Sequence, residues 1–207
     1  MTNEKQNKLE ILVVDDRAEN IAAARTALEG KANVDVAMNY EDGLKKLESK
    51  VYAFGIFDIQ MPRKEGMKTE NLGFELEKEA EKYALDYALI TAGTDHHNCQ
   101  SAFVRYCFDD KKNDGFISHA DHYVQTGKDG LGRDIDSHTY EIKANNFQEI
   151  TEVPKSDPRA WGRVYDTLVG YSPNIQEIFE SKQRYLESAG KMYISASYEA
   201  KQRKEKK

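Results

Sequence analysis

Between residues 9 and 91 the chain alternates short apolar runs with helical periodicities, and that alternation restricts its fold more than any other feature. It is the pattern of a parallel sheet with helices packed on its faces. LEILVV (9–14) is a near-continuous apolar run, as a strand covered on both faces requires, and it ends in Asp15-Asp16. Ile21, Ala24 and Leu28 follow at helical spacing and stop at Gly30, a C-terminal helix signal. VDVAM (34–38) reads as a second strand, and Leu44 and Leu47 fall in a short helix. YAFGIF (52–57) is a third strand that delivers Asp58 at its C-terminal end. Beyond QMPRKEGMKTE, the residues Leu72, Leu76, Ala80 and Tyr83 make the inner stripe of a helix over about 71–84, and YALIT (87–91) is a fourth strand.

The second half is less regular. A fifth strand is expected at 148–154, followed by a helix that Asp157 caps and Pro158 opens, with Trp161, Val164 and Leu168 on its packing face. Ile175, Ile178, Phe179, Tyr185 and Leu186 give one more amphipathic helix, and the residues after it are polar. A helix, two connections and a strand need about 25 residues, whereas Thr91 to Lys155 spans 64, so roughly 40 are surplus. The surplus includes a glycine-rich stretch (126–134) and a hairpin strand, HTYEI (138–142). Cys99 and Cys107 stand eight apart in a stretch that reads as helical, which separates them by about 12 Å and forbids a bridge. The expected class is therefore α/β, a doubly wound five-stranded parallel sheet with an insertion before strand 5 and a C-terminal helical extension. By residue, the division is 1–170 for the sheet domain, with the insertion at about 108–146, and 171–207 for the extension.

Charge narrows the partners. Residues 182–207 carry eight Lys/Arg against three Glu, a net +5, so the preceding 181 residues hold −11 of the overall −6. Nucleic-acid binding by that acidic body is not expected, because phosphate contacts need a basic face. No apolar run approaches the roughly 20 residues that span a bilayer, and MTNEKQNKLE has no apolar stretch of the kind a secretory signal needs. The expected location is the cytoplasm.

In an open parallel sheet, loops at the carboxyl ends of the strands line one crevice where ligands bind. Asp15, Asp16, Asp58 and Thr91 fall at such ends, and Lys155 is placed at the end of the fifth. Two like charges about 4 Å apart cost on the order of 4 kcal/mol at an effective dielectric near 20, so three carboxylates in one crevice need compensation. Hard oxygen ligands without imidazole or thiolate suit Mg²⁺, which also binds phosphate oxygens. An aspartate beside such an ion can attack a phosphoryl group and form an aspartyl phosphate, with the metal, a lysine and a hydroxyl sharing the charge. Asp58 is the expected nucleophile, Asp15 and Asp16 the metal holders, and Thr91 and Lys155 the groups that meet phosphoryl oxygens.

ILVVDD, then FDIQMP, then LITAG, then a lysine after a fifth strand together resemble the receiver domain of bacterial response regulators, over about residues 9–93 and again near 148–169. The resemblance implies strand order 2-1-3-4-5 and makes Asp58 the phosphoacceptor, Asp15 and Asp16 the acidic pair, Thr91 the switch hydroxyl and Lys155 the phosphate-binding lysine. It adds the backbone carbonyl of Gln60 as a metal ligand. It implies transfer of phosphate from a histidine kinase or phosphotransfer protein with Mg²⁺ present. No DNA-binding or enzymatic output domain is recognisable after it, so output is expected by contact with a downstream protein. A homodimer is compatible with it. Such a chain is a switch rather than an enzyme, with self-phosphotransfer and autodephosphorylation its only chemistry.

The chain departs from that pattern in three places. Glu152 stands three positions before the lysine, where the family has an aromatic; Pro154 precedes Lys155 and Ser156 follows it, where the family has Lys-Pro. Lys143 is an alternative lysine. The loop after Met61-Pro62 is long, which leaves open whether Gly66 or Gly73 takes the place of the family's glycine. These departures keep a second reading alive, an interaction module with the same fold that signals without phosphate. A third, a phosphatase with an aspartyl-phosphate intermediate, needs a second aspartate two residues after its nucleophile, and Arg17 and Gln60 occupy those offsets. His96, His97, His119, Asp121 and His122 fit no specific zinc spacing and read as loop residues.

Overall fold

The computed structural model describes residues 8–92, 101–107, 121–128, 134–141, 147–150 and 152–189. The elements run β1 (Leu9–Val14), α1 (Ala18–Leu28), β2 (Ala32–Ala37), α2 (Tyr40–Ser49), β3 (Phe54–Asp58), β4 (Met61–Pro62), β5 (Thr69–Glu70), α3 (Gly73–Lys82), β6 (Asp86–Ala92) and β7 (Ala102–Cys107). They continue with β8 (Asp121–Lys128), β9 (Asp134–Glu141), β10 (Gln148–Ile150), α4 (Pro158–Tyr171) and α5 (Ile175–Ala189). No helix among the described residues is long and apolar enough to cross a membrane.

The α/β, doubly wound class follows from the way β1 is used. Its side chains alternate between two apolar cores: Ile11 and Val13 meet α1 and α4, while Leu12 and Val14 meet α2 and α3. All four are fully buried. Each such aliphatic side chain stabilises the fold by roughly 1.5–3 kcal/mol, so a run without polar interruption is what a strand between two helical layers demands. The first core also holds Trp161, Val164 and Leu168 of α4 and Ile175 and Phe179 of α5; the second holds Leu47, Leu72, Leu76 and Ala80. α4 begins where the sequence places it, with the Asp157 carboxylate accepting the Arg159 N–H at 2.8 Å and Pro158 in the first turn.

The sheet order is β10-β7-β6-β3-β1-β2, so the expected 2-1-3-4 order holds for β2, β1, β3 and β6, which are mutually parallel. The fifth place differs. It is taken by β7, antiparallel to β6, and the segment expected there becomes a short sixth strand, β10, antiparallel to β7. Residues 102–107 thus form a strand and not the expected helix. Ala102, Val104 and Tyr106 join one core while Phe103, Arg105 and Cys107 face the other way, a period of two. Arg105 is buried, and the Glu77 carboxylate of α3 meets it at 2.5 Å. Because β10 reverses β7, which reverses β6, β10 runs with the parallel strands and ends at their carboxyl edge. Cys107 is a free thiol, and Cys99 lies outside the described residues. HTYEI falls largely within β9, which pairs with β8 as a separate two-stranded ribbon; Lys143 lies outside the described residues.

Candidate functional site

The register of the central strands brings the acids together. Val14 is paired with Phe57, so the residues that follow, Asp15 and Asp58, emerge side by side at the carboxyl edge. One carboxylate oxygen from each of Asp15, Asp16 and Asp58 lies within 4.8 Å of the others. Lys155 enters the same group. Its ammonium stands 2.7 Å from Asp15 Oδ2 and 2.6 Å from Asp58 Oδ1, and the side chain is 4% exposed. Asp15 is fully buried and also accepts from the Arg17 N–H at 3.0 Å and from the Asn20 amide at 3.0 and 3.2 Å. Asp16 is half-buried, the most exposed of the three acids.

The environment sets the charges. Burial pushes the Asp58 carboxyl up to about 6; the Lys155 ammonium opposes that shift and the Asp15 carboxylate adds to it. Burial and the neighbouring Asp15 also raise Asp16. For Lys155, burial alone would favour the neutral amine, but Asp58 and Asp15 outweigh it and hold its pKa above the ordinary value. Three carboxylates against one ammonium leave an excess of two negative charges when all are ionised. A donor set of clustered carboxylate oxygens with that excess fits a hard divalent cation such as Mg²⁺. Asp15, Asp16 and Asp58 are the residues that could hold it. Gln60, whose carbonyl the resemblance adds, is exposed in the bend after β3.

Thr91 lies one residue beyond Ile90, the partner of Asp58 on β6, and its hydroxyl donates to the carbonyl of Ala92 at 3.2 Å. The strand beside it is β7, so the residue in register with Thr91 is Phe103, half-buried, while Glu152 is exposed in the loop after β10. The two glycines divide two tasks. Gly66 sits at φ +78° in an open turn, whereas a Cβ on Gly73 would stand 2.3 Å from the Asp58 carbonyl oxygen. Gly73 is therefore the glycine that lets α3 start against the end of β3, where its N–H donates to the Ile59 carbonyl at 3.0 Å.

Two contributors escape a reading of the sequence. Asn20 lies four residues before Ala24 and eight before Leu28, on the buried stripe of α1; an amide at an apolar position is the signal that could have revealed it. Trp161, read as a core residue, is one, but its indole N–H also donates to the Lys155 carbonyl at 2.7 Å. Of the histidine group, His96, His97 and His119 lie outside the described residues, and Asp121 and His122 fall in β8.

No model of a known family matches the chain, and no curated protein does. Among solved structures it is similar to a response regulator receiver domain protein (CheY-like) from Methanospirillum hungatei JF-1, at 26% identity and a TM-score of 0.36. That likeness covers 44% of this chain and 70% of the other.

Proposed function

We propose that the chain is a phosphoacceptor switch that takes a phosphoryl group on Asp58 with Mg²⁺ as cofactor. The observation that carries this reading is the buried Lys155 ammonium lying between Asp15 and Asp58, with Asp16 alongside. In the transfer, a carboxylate oxygen of Asp58 forms the new P–O bond as the P–N bond of a donor phosphohistidine breaks, and the imidazole nitrogen regains a proton from solvent. Bound Mg²⁺ would supply positive charge to the phosphoryl oxygens and to the crowded carboxylates. Lys155 offsets negative charge on the Asp58 side without needing to move far, and Asn20 and the Arg17 N–H keep Asp15 oriented. Thr91, at the edge of the same crevice, is the hydroxyl available to a phosphoryl oxygen once it leaves the Ala92 carbonyl.

A histidine kinase or phosphotransfer protein in the cytoplasm is the donor this chemistry calls for, and a downstream protein reads the result; turnover of an external substrate is not part of the role. A phosphoryl group adds about −1.5 to −2 charge, enough to bias a two-state surface around Thr91 and β7. Incubating the full chain with acetyl phosphate and Mg²⁺, followed by intact mass, is the direct test. One added phosphoryl group on the wild type and none on Asp58→Asn is the expected result. A wild type that stays unmodified, under conditions that label a control receiver, supports the phosphate-independent interaction module instead.

A further inference from the structure

Lys155 has an unusual distance to travel. It follows β10, and two strands, β7 and β6, separate β10 from β3, at whose end Asp58 sits. Neighbouring strands are about 4.8 Å apart, so the loop after β10 must cross roughly 14 Å of sheet edge, more than a lysine side chain reaches by itself. The backbone makes up the difference by folding over the start of β7. The Glu152 N–H donates to Ser101 Oγ at 3.1 Å, and the Ala102 N–H donates to the Val153 carbonyl at 2.8 Å. Glu152 takes a left-handed conformation, φ 56°, to make the turn. Past the turn, the carbonyl of Lys155 itself is held by Trp161, whose ring is fully buried in the α4 core.

We propose that Trp161, with Ser101, positions the Lys155 ammonium: the indole N–H fixes the lysine's backbone carbonyl while the serine hydroxyl fixes the turn that brings it across β7. The inference rests on reading Asp58 as the phosphoacceptor only for its consequence on rate. The clamp itself concerns where Lys155 sits. A buried N–H to carbonyl bond constrains its acceptor more tightly than apolar contact does, because leaving that carbonyl without a partner is unfavourable. Both partners are positioning residues, since their hydrogen bonds go to the backbone of Lys155 and Glu152 and not to the reacting carboxylate.

The test uses the full chain with Trp161→Phe, which keeps an aromatic ring in the core and removes the donor, and Ser101→Ala, which removes the second anchor at a half-buried position. Phosphoryl gain from acetyl phosphate at saturating Mg²⁺ should slow by roughly fivefold in Trp161→Phe, the scale of one lost hydrogen bond, and by less in Ser101→Ala. In a Lys155→Ala background neither change should slow it further, whereas thermal stability should respond to Trp161→Phe equally in both backgrounds. The second readout needs no phosphate. In a short pulse of acetic anhydride followed by peptide mass analysis, Lys155 should be protected in the wild type and react several times faster in Trp161→Phe. Unchanged protection of Lys155 in folded Trp161→Phe and Ser101→Ala overturns the clamp, as does equal slowing with and without Lys155. A wild type that takes no phosphoryl group overturns the reading of Asp58 while the acetylation result still decides the clamp.

Discussion

The two halves of the sheet deliver their site residues by different means. From β1 to β6, Asp15, Asp58 and Thr91 arrive at the carboxyl edge because the strands that carry them are parallel, in register and buried on both faces. From β7 to α4, Lys155 arrives on a loop that crosses an antiparallel strand and is held by a few named hydrogen bonds. In the first half the hydrophobic core places the chemistry; in the second, polar contacts do. The four-charge cluster is thus assembled by two kinds of backbone route, parallel strands for its acids and a crossing loop for its lysine. A polar side chain buried in β1 or β3 would break the first arrangement, whereas the second also depends on single hydrogen bonds.

The largest effect expected is that of Lys155→Met. It leaves two adjacent buried carboxylates without their ammonium, the situation in which breaking a buried pair destabilises by about 3–5 kcal/mol. Urea unfolding in Mg²⁺-free buffer measures this, and added Mg²⁺ should restore part of the loss if the acids hold a divalent cation. A loss below about 1 kcal/mol would mean that the carboxylates are not being held together by Lys155. Gly73→Ala comes next. Its methyl group would meet the Asp58 carbonyl at 2.3 Å and must push α3 off the end of β3, at about 1–3 kcal/mol, with slower phosphoryl gain as well. Gly66→Ala meets open space and bears only the left-handed backbone penalty of about 1 kcal/mol, with no change in rate.

The halves were also unequally legible. LEILVV and YAFGIF announce buried strands because nothing polar interrupts them, and their terminal acids inherit positions from the strands. β7 hides for a local reason and a global one. Arg105 interrupts its apolar row, and tertiary partners, Glu77 on α3 and the rings of Phe74 and Phe147, make that charge tolerable in a buried strand. The direction of a strand, moreover, is not written in its own six residues: AFVRYC would alternate in the same way running with β6 or against it. The three residues of β10 carry still less information, so the expected fifth strand came to lie one place further out. Lys155 was visible as a lysine after a strand, but the Trp161 bond that holds it joins a backbone carbonyl to a residue that any apolar pattern assigns to the core.

An effect of about 1 kcal/mol checks the first half from its outer edge. On β2, burial works to raise the Asp35 carboxyl, but the Lys46 ammonium at 2.5 Å and the Tyr52 hydroxyl at 2.9 Å outweigh it and hold the pKa below the ordinary value. A carboxyl depressed in the folded state stabilises fully above its unfolded pKa, near 3.9, and that contribution is lost as pH falls through the folded value. Wild type should therefore lose about 1 kcal/mol more than Asp35→Asn between pH 5 and pH 2, read from urea midpoints. Equal losses in the two proteins would remove Asp35 from the groups that tie β2 to α2.

The smallest effect has the opposite sign and probes the route that Lys155 takes. Glu152 is exposed and left-handed, φ 56°, a conformation that costs a residue with a Cβ about 1–2 kcal/mol. Glycine removes that penalty but gives the unfolded chain more freedom to lose, about 0.5–1 kcal/mol. Glu152→Gly should therefore gain stability by about 0.5 kcal/mol, because the hydrogen bond to Ser101 comes from its backbone N–H and survives the change. Phosphoryl gain at Asp58 should stay at the wild-type rate, since the turn is kept. If Glu152→Gly loses stability and slows the transfer together, the side chain itself holds the turn, and the lysine's path across β7 depends on more than the clamp of Ser101 and Trp161.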